Sequence, residues 1–202
     1  LLTSVIVVPH RNPVFMAKSL ATTDKLSGGR VTLGCGAGWM REEFEALGVP
    51  DFDARGQVTN EYLDAMKVLW TQDDASYHGQ HVDFAHIAAD PKPVQRPHPP
   101  IWIGGESLAA MRRAASHGDG WYPFGSNPKF RMDTVDAYCV RRDRLFALLE
   151  AAGRDPGTFT LAYNCAFHQE TARERPDGGR LLMTGTPEQR AADIDALAAT
   201  GI

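Results

Sequence analysis

The stretch Ile101-Trp102-Ile103-Gly104-Gly105-Glu106-Ser107-Leu108-Ala109-Ala110-Met111-Arg112-Arg113-Ala114-Ala115-Ser116-His117-Gly118-Asp119-Gly120-Trp121-Tyr122-Pro123-Phe124 decides the fold class. Ile101 to Ile103 is a short apolar run with the composition of a buried strand. Ser107 is placed to cap a helix whose Leu108, Met111 and Ala115 share one face, and Gly118 stops it. Gly120 to Phe124 then reads as another strand. Strand, tight loop, helix and strand in so short a space form a parallel crossover, because a parallel neighbour needs a long connection.

Working outward, the same unit recurs. Upstream, Val5 to Val8 is a β-branched run closed by Pro9, and Ala17, Leu20, Ala21 and Asp24 follow helical spacing until Gly28-Gly29. Arg30 to Leu33 reads as a second strand that ends in the glycine-rich Gly34-Cys35-Gly36-Ala37-Gly38-Trp39. A short helix from about Arg41 to Leu47 follows, then a longer one from Arg55 to Trp70 with Val58, Tyr62, Met66, Leu69 and Trp70 on one face. Tyr77 to Phe84 suggests a small hairpin, and the proline-rich Pro91 to Pro100 an extended approach to the strand at Ile101. Downstream, the spacing predicts a helix from about Phe130 to Ala152, a strand from Phe159 to Phe167 and a polar loop from Arg173 to Gly179. Thr186-Pro187-Glu188-Gln189 combines a capping box with proline at the first helical position, opening a helix to about Thr200. Five strand–helix units imply an α/β fold, either a closed (β/α)8 barrel or an open doubly wound sheet. A whole barrel takes about 250 residues, so a barrel reading leaves roughly three units outside this sequence.

Composition narrows the function. The 202 residues carry 21 Lys+Arg against 25 Asp+Glu, a formal charge of −4, with 43% hydrophobic residues. A chain near this size buries about 70% of its unfolded surface, enough for one domain with a sizeable core. No run of about 18 apolar residues is present to span a bilayer, and no Lys/Arg cluster offers nucleic acid the concentrated positive surface it needs. The partner expected is a small-molecule substrate. Cys35, Cys139 and Cys165 are odd in number and lack CxxC spacing, so a disulfide framework or zinc ribbon is not expected and a reducing cytoplasm is. The chain opens without Met inside the apolar run Leu1 to Val8 and stops at Thr200-Gly201-Ile202. One domain over residues 1–202, cut through structure at both ends, is the expectation.

Several motifs bear on chemistry. Gly34 to Trp39, between strand and helix, invites a dinucleotide loop, but Trp39 stands where the third glycine is needed and no acid follows at the end of a second strand. A simple tight turn, or a loop that lets a flat ring lie on backbone with Trp39 as a wall, remain the alternatives. Gly104-Gly105-Glu106-Ser107 suits an anion better, since glycines free the backbone and the next helix presents unpaired N–H groups. Glu106 opposes a phosphate unless it turns away toward a ribityl hydroxyl, and an ordinary Ser-capped helix is the plain alternative. His78, His81 and His86 lie in a polar hairpin without supporting ligands, so no metal is expected. There is no GxSxG elbow, and Cys35 reads as a small buried residue rather than a nucleophile. His10-Arg11-Asn12, framed by prolines, is a compact polar group after a strand, with Arg11 available to stabilise negative charge.

Taken in order, VPHRNP, LSGGRVTLGCGAGWMREEFEALGVP, RGQVTNEYLDAMKVLWTQD, PKPVQRPHPPIWIGGES and AASHGDGW resemble the luciferase-like monooxygenase superfamily, most of all its branch of coenzyme F420-dependent oxidoreductases. The resemblance covers Thr3 to Ile202. It implies a (β/α)8 TIM barrel of the bacterial luciferase-like type, present as a partial barrel of about strands 3 to 7. It also implies coenzyme F420, or alternatively FMN, bound at the strand C-termini. Family members often carry a non-prolyl cis peptide in a bulge of the third strand that supports the cofactor ring; the matching residues are Thr3, Ser4 and Val5, with Ser4-Val5 the bond. The implied phosphate site is Gly104, Gly105, Glu106 and Ser107, with Gly120 and Trp121 nearby, and Pro9, Gly36 and Trp39 would line the pocket. Some F420 enzymes of the family place an acid after the fourth strand as proton donor, whereas this loop offers Ala37 and Gly38. His10, Arg11, Glu42 and Glu43 are therefore the candidate catalytic residues.

The implied activity is a flavin- or F420-dependent oxidoreductase or monooxygenase acting on a small organic substrate by hydride transfer or oxygen activation. A non-catalytic flavin-binding protein is the alternative, and a homodimer of the full-length protein is left open. With units one, two and eight lacking, the strands at Thr3 to Val8 and Phe159 to Phe167 become edges, so the chain alone is expected to aggregate or need a partner.

Overall fold

The computed structural model describes residues 1–49, 51–125, 127–165 and 168–202. They form two compact units, 1–102 and 103–202.

In the first unit β1 (Ile6–Val7) runs parallel to β2 (Leu33–Gly36), with Ile6 opposite Cys35 and Val7 opposite Gly36. On the far side of β2, the Leu33 amide donates to the Pro100 carbonyl at 2.8 Å, which places the start of β5 (Ile101–Gly104) there. β1 is shorter than the Val5 to Val8 run because Val8–His10 turns into a 3-10 helix at Pro9. β2 also begins later than Arg30 to Leu33. Arg30 is held back by Ser27, its Nε donating to the Ser27 carbonyl at 2.7 Å, while Thr32 makes only an isolated bridge to Leu2. Half of the glycine-rich stretch is therefore strand rather than loop. Its first glycine has a steric cause: a Cβ on Gly34 would lie 1.9 Å from the Thr3 carbonyl oxygen.

Two helices cover these strands. α1 (Pro13–Ser27) starts with Pro13 after Asn12, whose Oδ1 accepts from the amides of Val14 and Phe15 at 2.9 and 3.2 Å. It packs on α3 (Arg55–Thr71), and the Trp70 Nε1 donates to the Ala17 carbonyl at 3.0 Å. α2 (Arg41–Leu47) precedes α3 in the chain. Asp24, fully buried on α1, accepts from the amides of Val94 (2.8 Å) and Gln95 (3.0 Å) and from Gln95 Nε2 (2.7 Å). This carboxylate anchors the proline-rich segment, which contains cis bonds at Asp90-Pro91 and Arg96-Pro97. The hairpin is longer than Tyr77 to Phe84, with β3 (Ala75–His78) antiparallel to β4 (Asp83–Ile87). Glu61 on α3 pins its turn by accepting from the His81 and Val82 amides at 2.6 and 2.8 Å.

In the second unit β5 leads through a three-residue turn into α4 (Leu108–His117), followed by β6 (Gly120–Tyr122), α5 (Val135–Ala151), β7 (Thr160–Leu161) and α6 (Pro187–Ala198). β6 and β7 are parallel, with Gly120 opposite Thr160 and Trp121 opposite Leu161. β6 stops short of Phe124 because Pro123 has no amide to donate; Phe124 keeps an isolated bridge to Asn164. The strand expected from Phe159 to Phe167 is likewise reduced to two paired residues and that bridge, and Ala166 and Phe167 lie outside the described residues. α5 starts at Val135 rather than near Phe130, since Thr134 caps it by accepting from the Ala137 amide at 3.0 Å. Arg154 closes the other end of the unit's helix pair by donating to the carbonyls of Ala115 (2.9 Å) and Gly118 (2.7 Å) after α4. The Thr186 capping box on α6 forms with both of its bonds. Arg180 and Asp193 make a bidentate pair at 2.8 and 2.5 Å that holds the preceding loop to α6. Outside the hairpin the paired strands are parallel, which makes the fold α/β. Among the described residues no helix is long and apolar enough to cross a membrane.

Candidate active site

In the first unit the chemistry-bearing residues lie just before and just after β1 and from the end of β2 into α2. The Ser4-Val5 peptide bond is cis, at the position the family resemblance implies. Thr3 ties this bulge to β2, donating from Oγ1 to the Gly34 carbonyl at 2.8 Å and from its amide to the Thr32 carbonyl at 3.3 Å. Val5 lies exposed over Gly36, whose Cβ position would be 3.8 Å from Val5 Cγ2.

His10-Arg11-Asn12 divides into three roles. Asn12 is spent as the α1 cap, and Arg11 is exposed on extended backbone. His10 sets its ring edge-on against Phe44, centroids 4.5 Å apart, with Nε2 buried and without a hydrogen-bond partner. Burial lowers its pKa, with Glu43 opposing and Arg11 reinforcing the shift, so the imidazole is held toward its neutral form. Glu42 and Glu43 are exposed in the first turn of α2, where the helix dipole favours acids. Of the two, Glu43 acts on His10 through its charge.

Trp39 is 78% exposed after the glycine stretch. Behind it runs a row that no spacing rule reveals. Phe44 meets Phe52 edge-on at 5.2 Å, and Arg55 stacks on Phe52 at 3.9 Å while donating to the Gly38 carbonyl at 3.2 Å. Phe44, Phe52 and Arg55 thus fix the loop that carries Trp39. Of the hairpin histidines, His78 pairs with Asp83 at 2.8 Å and His86 with Asp74 at 3.0 Å, both exposed.

In the second unit Gly104 ends β5, and Gly105 takes φ +105, a left-handed conformation that side chains rarely adopt; a Cβ there would meet Ala110 Cβ at 3.0 Å. Ser107 caps α4, its Oγ accepting from the Ala110 amide at 3.1 Å. Helix geometry leaves the other first-turn amides without intrahelical partners, so they face outward with the positive end of the dipole. Glu106 does turn away from this cradle, but not toward a ribityl hydroxyl. It is only 4% exposed, and its Oε1 accepts from the Phe124 amide and Oε2 from Asn127 Nδ2, each at 2.5 Å. With both oxygens occupied, the carboxylate is a bracket between the β5–α4 turn and the segment after β6.

Trp121 is fully buried, donates from Nε1 to the Gly105 carbonyl at 2.9 Å and stacks on Tyr138 at 5.8 Å. Gly120 is buried in β6 beside it. Trp121 holds the turn from behind. Arg141 on α5 donates to the Glu106 carbonyl at 3.2 Å. Asn127 and Arg141 give no signal in sequence, because nothing local to them announces the turn they contact, and neither does Tyr138, which stacks on Trp121. Gly104 to Ser107, with a positive-φ glycine, open amides and the carboxylate removed, fits a phosphate group.

The chain belongs to the luciferase-like monooxygenase family, whose sequence profile matches residues 1–175. It is 43% identical over 113 residues to the FMNH(2)-dependent dimethylsulfone monooxygenase of Pseudomonas putida, a match covering 55% of this chain and 31% of that protein. It is also 43% identical over 198 residues to an uncharacterised protein of Mycobacterium tuberculosis (strain ATCC 25618 / H37Rv), covering 97% of this chain and 67% of that one. Among solved structures, the coenzyme F420-dependent tetrahydromethanopterin reductase from Methanopyrus kandleri superposes with a TM-score of 0.79 at 16% identity, covering all of this chain and 74% of its own. That likeness carries the fold alone, a partial (β/α) barrel of the luciferase-like type.

Proposed function

We propose that this chain is the cofactor-binding part of an oxidoreductase that uses coenzyme F420, with FMN as the alternative, on a small organic substrate. The observation that carries it is the cradle at Gly104–Ser107, open amides and a positive-φ glycine with the Glu106 carboxylate turned away, in a chain of this family. Relatives bearing FMN and F420 in their names support the cofactor class. Bound there, the reduced cofactor supplies a hydride or activates oxygen; the protein supplies orientation and shielding.

Each group is assigned within its own unit. Gly104, Gly105 and Ser107 take the phosphate, with Glu106 and Trp121 holding the turn and Gly120 beside Trp121 in β6. Ser4, Val5, Gly36 and Trp39 are the ring-side group, and His10 and Arg11 the polar pair beside them. His10, kept neutral, suits hydrogen bonding more than standing positive charge, whereas Arg11 suits negative charge on a reduced ring or substrate. Glu42 and Glu43 remain candidates as the acids nearest in sequence to the β2 loop. The whole chain is taken as one luciferase-like domain working in a reducing cytoplasm, consistent with three cysteines that lack CxxC spacing.

Titration of the protein at its full native length with F420 and with FMN tests the proposal. Binding of at least one at micromolar concentration is expected, weakened tenfold or more by Gly105→Val. Failure of both to bind would sink it.

A further inference from the structure

One face of α6 borders a concavity that the cofactor assignment does not use. Pro187, Arg190 and Ile194 recur at helical spacing, and with Cys165, His168 and Met183 from the loop after β7 they line a space of about 400 Å³, open on one side. That volume lies within the range of small-molecule sites. Arg190 is half-buried, and its Nε is sealed from solvent without a hydrogen-bond partner. Among the described residues its side chain makes no hydrogen bond or ion pair. The acids beside it do not answer it. Asp193 is taken by Arg180 at 2.8 and 2.5 Å and by the Met183 amide at 2.7 Å, while exposed Glu188 acts on Arg190 through charge alone. A cationic donor withdrawn from water and given no acceptor is costly, and the acceptor that fits it is an anion. Met183 supplies a second observation. It stands at φ +61, a left-handed conformation uncommon outside glycine, and the bond to Asp193 Oδ2 holds it there. Asp193 thus locks the loop, Met183 and α6 together, so the concavity is formed in advance of any ligand.

We infer that this concavity binds a small aliphatic carboxylate. The edge of a guanidinium presents two parallel N–H donors, which match the two oxygens of a planar carboxylate. Met183, Pro187 and Ile194 are the apolar part of the lining, and Ile194 is 54% exposed, so an alkyl chain has apolar surface to cover. An inorganic anion would engage Arg190 and leave that surface wet. A neutral alcohol would cover the surface and leave Arg190 unanswered. His168, exposed in the same lining, offers a further ring N–H to the head group. None of these residues belongs to the cradle at Gly104–Ser107, so the inference stands apart from the phosphate assignment.

The test is a calorimetric titration of the protein at its full native length with hexanoate, hexan-1-ol and acetate. Hexanoate is expected to bind about tenfold or more tighter than hexan-1-ol, as a charge-assisted pair implies. It should also bind about tenfold or more tighter than acetate, through its extra methylenes. In Arg190→Gln the preference over hexan-1-ol falls to about twofold or less, because the paired donors are gone. Arg190→Lys keeps the charge without the planar fork and recovers only part of that preference. Taking the ratio within each variant cancels any general loss of affinity. Cys165 gives an independent readout, since it lines the concavity and Cys139 on α5 does not. Saturating hexanoate should slow alkylation of Cys165 by iodoacetamide relative to Cys139, followed by peptide mass spectrometry. Failure of hexanoate to bind, equal affinities for hexanoate and hexan-1-ol, or acetate as tight as hexanoate in the native protein would overturn the inference. So would a preference that survives in Arg190→Gln, or alkylation of Cys165 that hexanoate leaves unchanged. Each of these outcomes leaves the phosphate assignment standing.

Discussion

Asp24 shows what a single buried carboxylate can do. Desolvation alone would raise its pKa, but the side-chain and backbone donors of Gln95 and the amides of Val31 and Val94 outweigh burial and hold it below the usual carboxylate value. The stability it contributes is present above the ordinary Asp pKa and is lost as pH falls through that range. Asp24→Ala leaves several donors buried without acceptors, at about 1–3 kcal/mol each where water cannot enter. A fall in thermal midpoint of about 2–4 °C per kcal/mol is expected for a chain of this size, read by circular dichroism. His10 works with the opposite sign. Its folded pKa is depressed, so as pH drops below about 6.5 the unfolded state takes up a proton that the folded state refuses, and stability declines. His10→Asn should flatten the dependence of the urea midpoint on pH between about 5 and 7. An unchanged slope would show that the ring is not held neutral. His10 was legible in sequence as a polar residue after a strand; its burial against Phe44, 34 residues further along the chain in α2, was not.

At the scale of elements, capping signals were the most legible, because a cap is a local arrangement of a side chain and amides within three residues. Ser107 and Thr186 both cap the helices that their positions announce. Thr186→Ala and Ser107→Ala should each cost about 1 kcal/mol of stability. Under the proposed function only Ser107→Ala should also weaken the cofactor, by a few-fold in a fluorescence titration, and equal effects of the two would remove Ser107 from the phosphate site. Strand boundaries were less legible. The glycine stretch Gly34 to Trp39 read as a loop because glycine breaks strands on average, yet Gly34 to Gly36 are strand since Thr3 passes too close for a side chain. Gly34→Ala therefore forces β1 from β2, and insoluble or unfolded product is the expected outcome, measured as soluble yield against the native chain.

For the whole molecule, β1 has a partner only in β2, and β7 only in β6, among the described residues. Leu1, Leu2 and Val5 are exposed beside β1. Open strand edges next to apolar side chains recruit other chains, so the isolated 202-residue chain should self-associate at micromolar concentration in size-exclusion chromatography with light scattering. A monodisperse monomer with cooperative unfolding would contradict this. The sequence by itself determined the alternation of strands and helices, the helix caps and the family, because these depend on spacing along the chain and on short contiguous motifs. It also located the cis Ser4-Val5 bond through that family likeness. Only the tertiary structure decided where Glu106 points, which side chains border the phosphate turn, and how His10 is kept neutral. Those answers come from Phe44, Asn127, Tyr138 and Arg141, residues that reach their partners through folding across helices and strands, where no local pattern records the encounter.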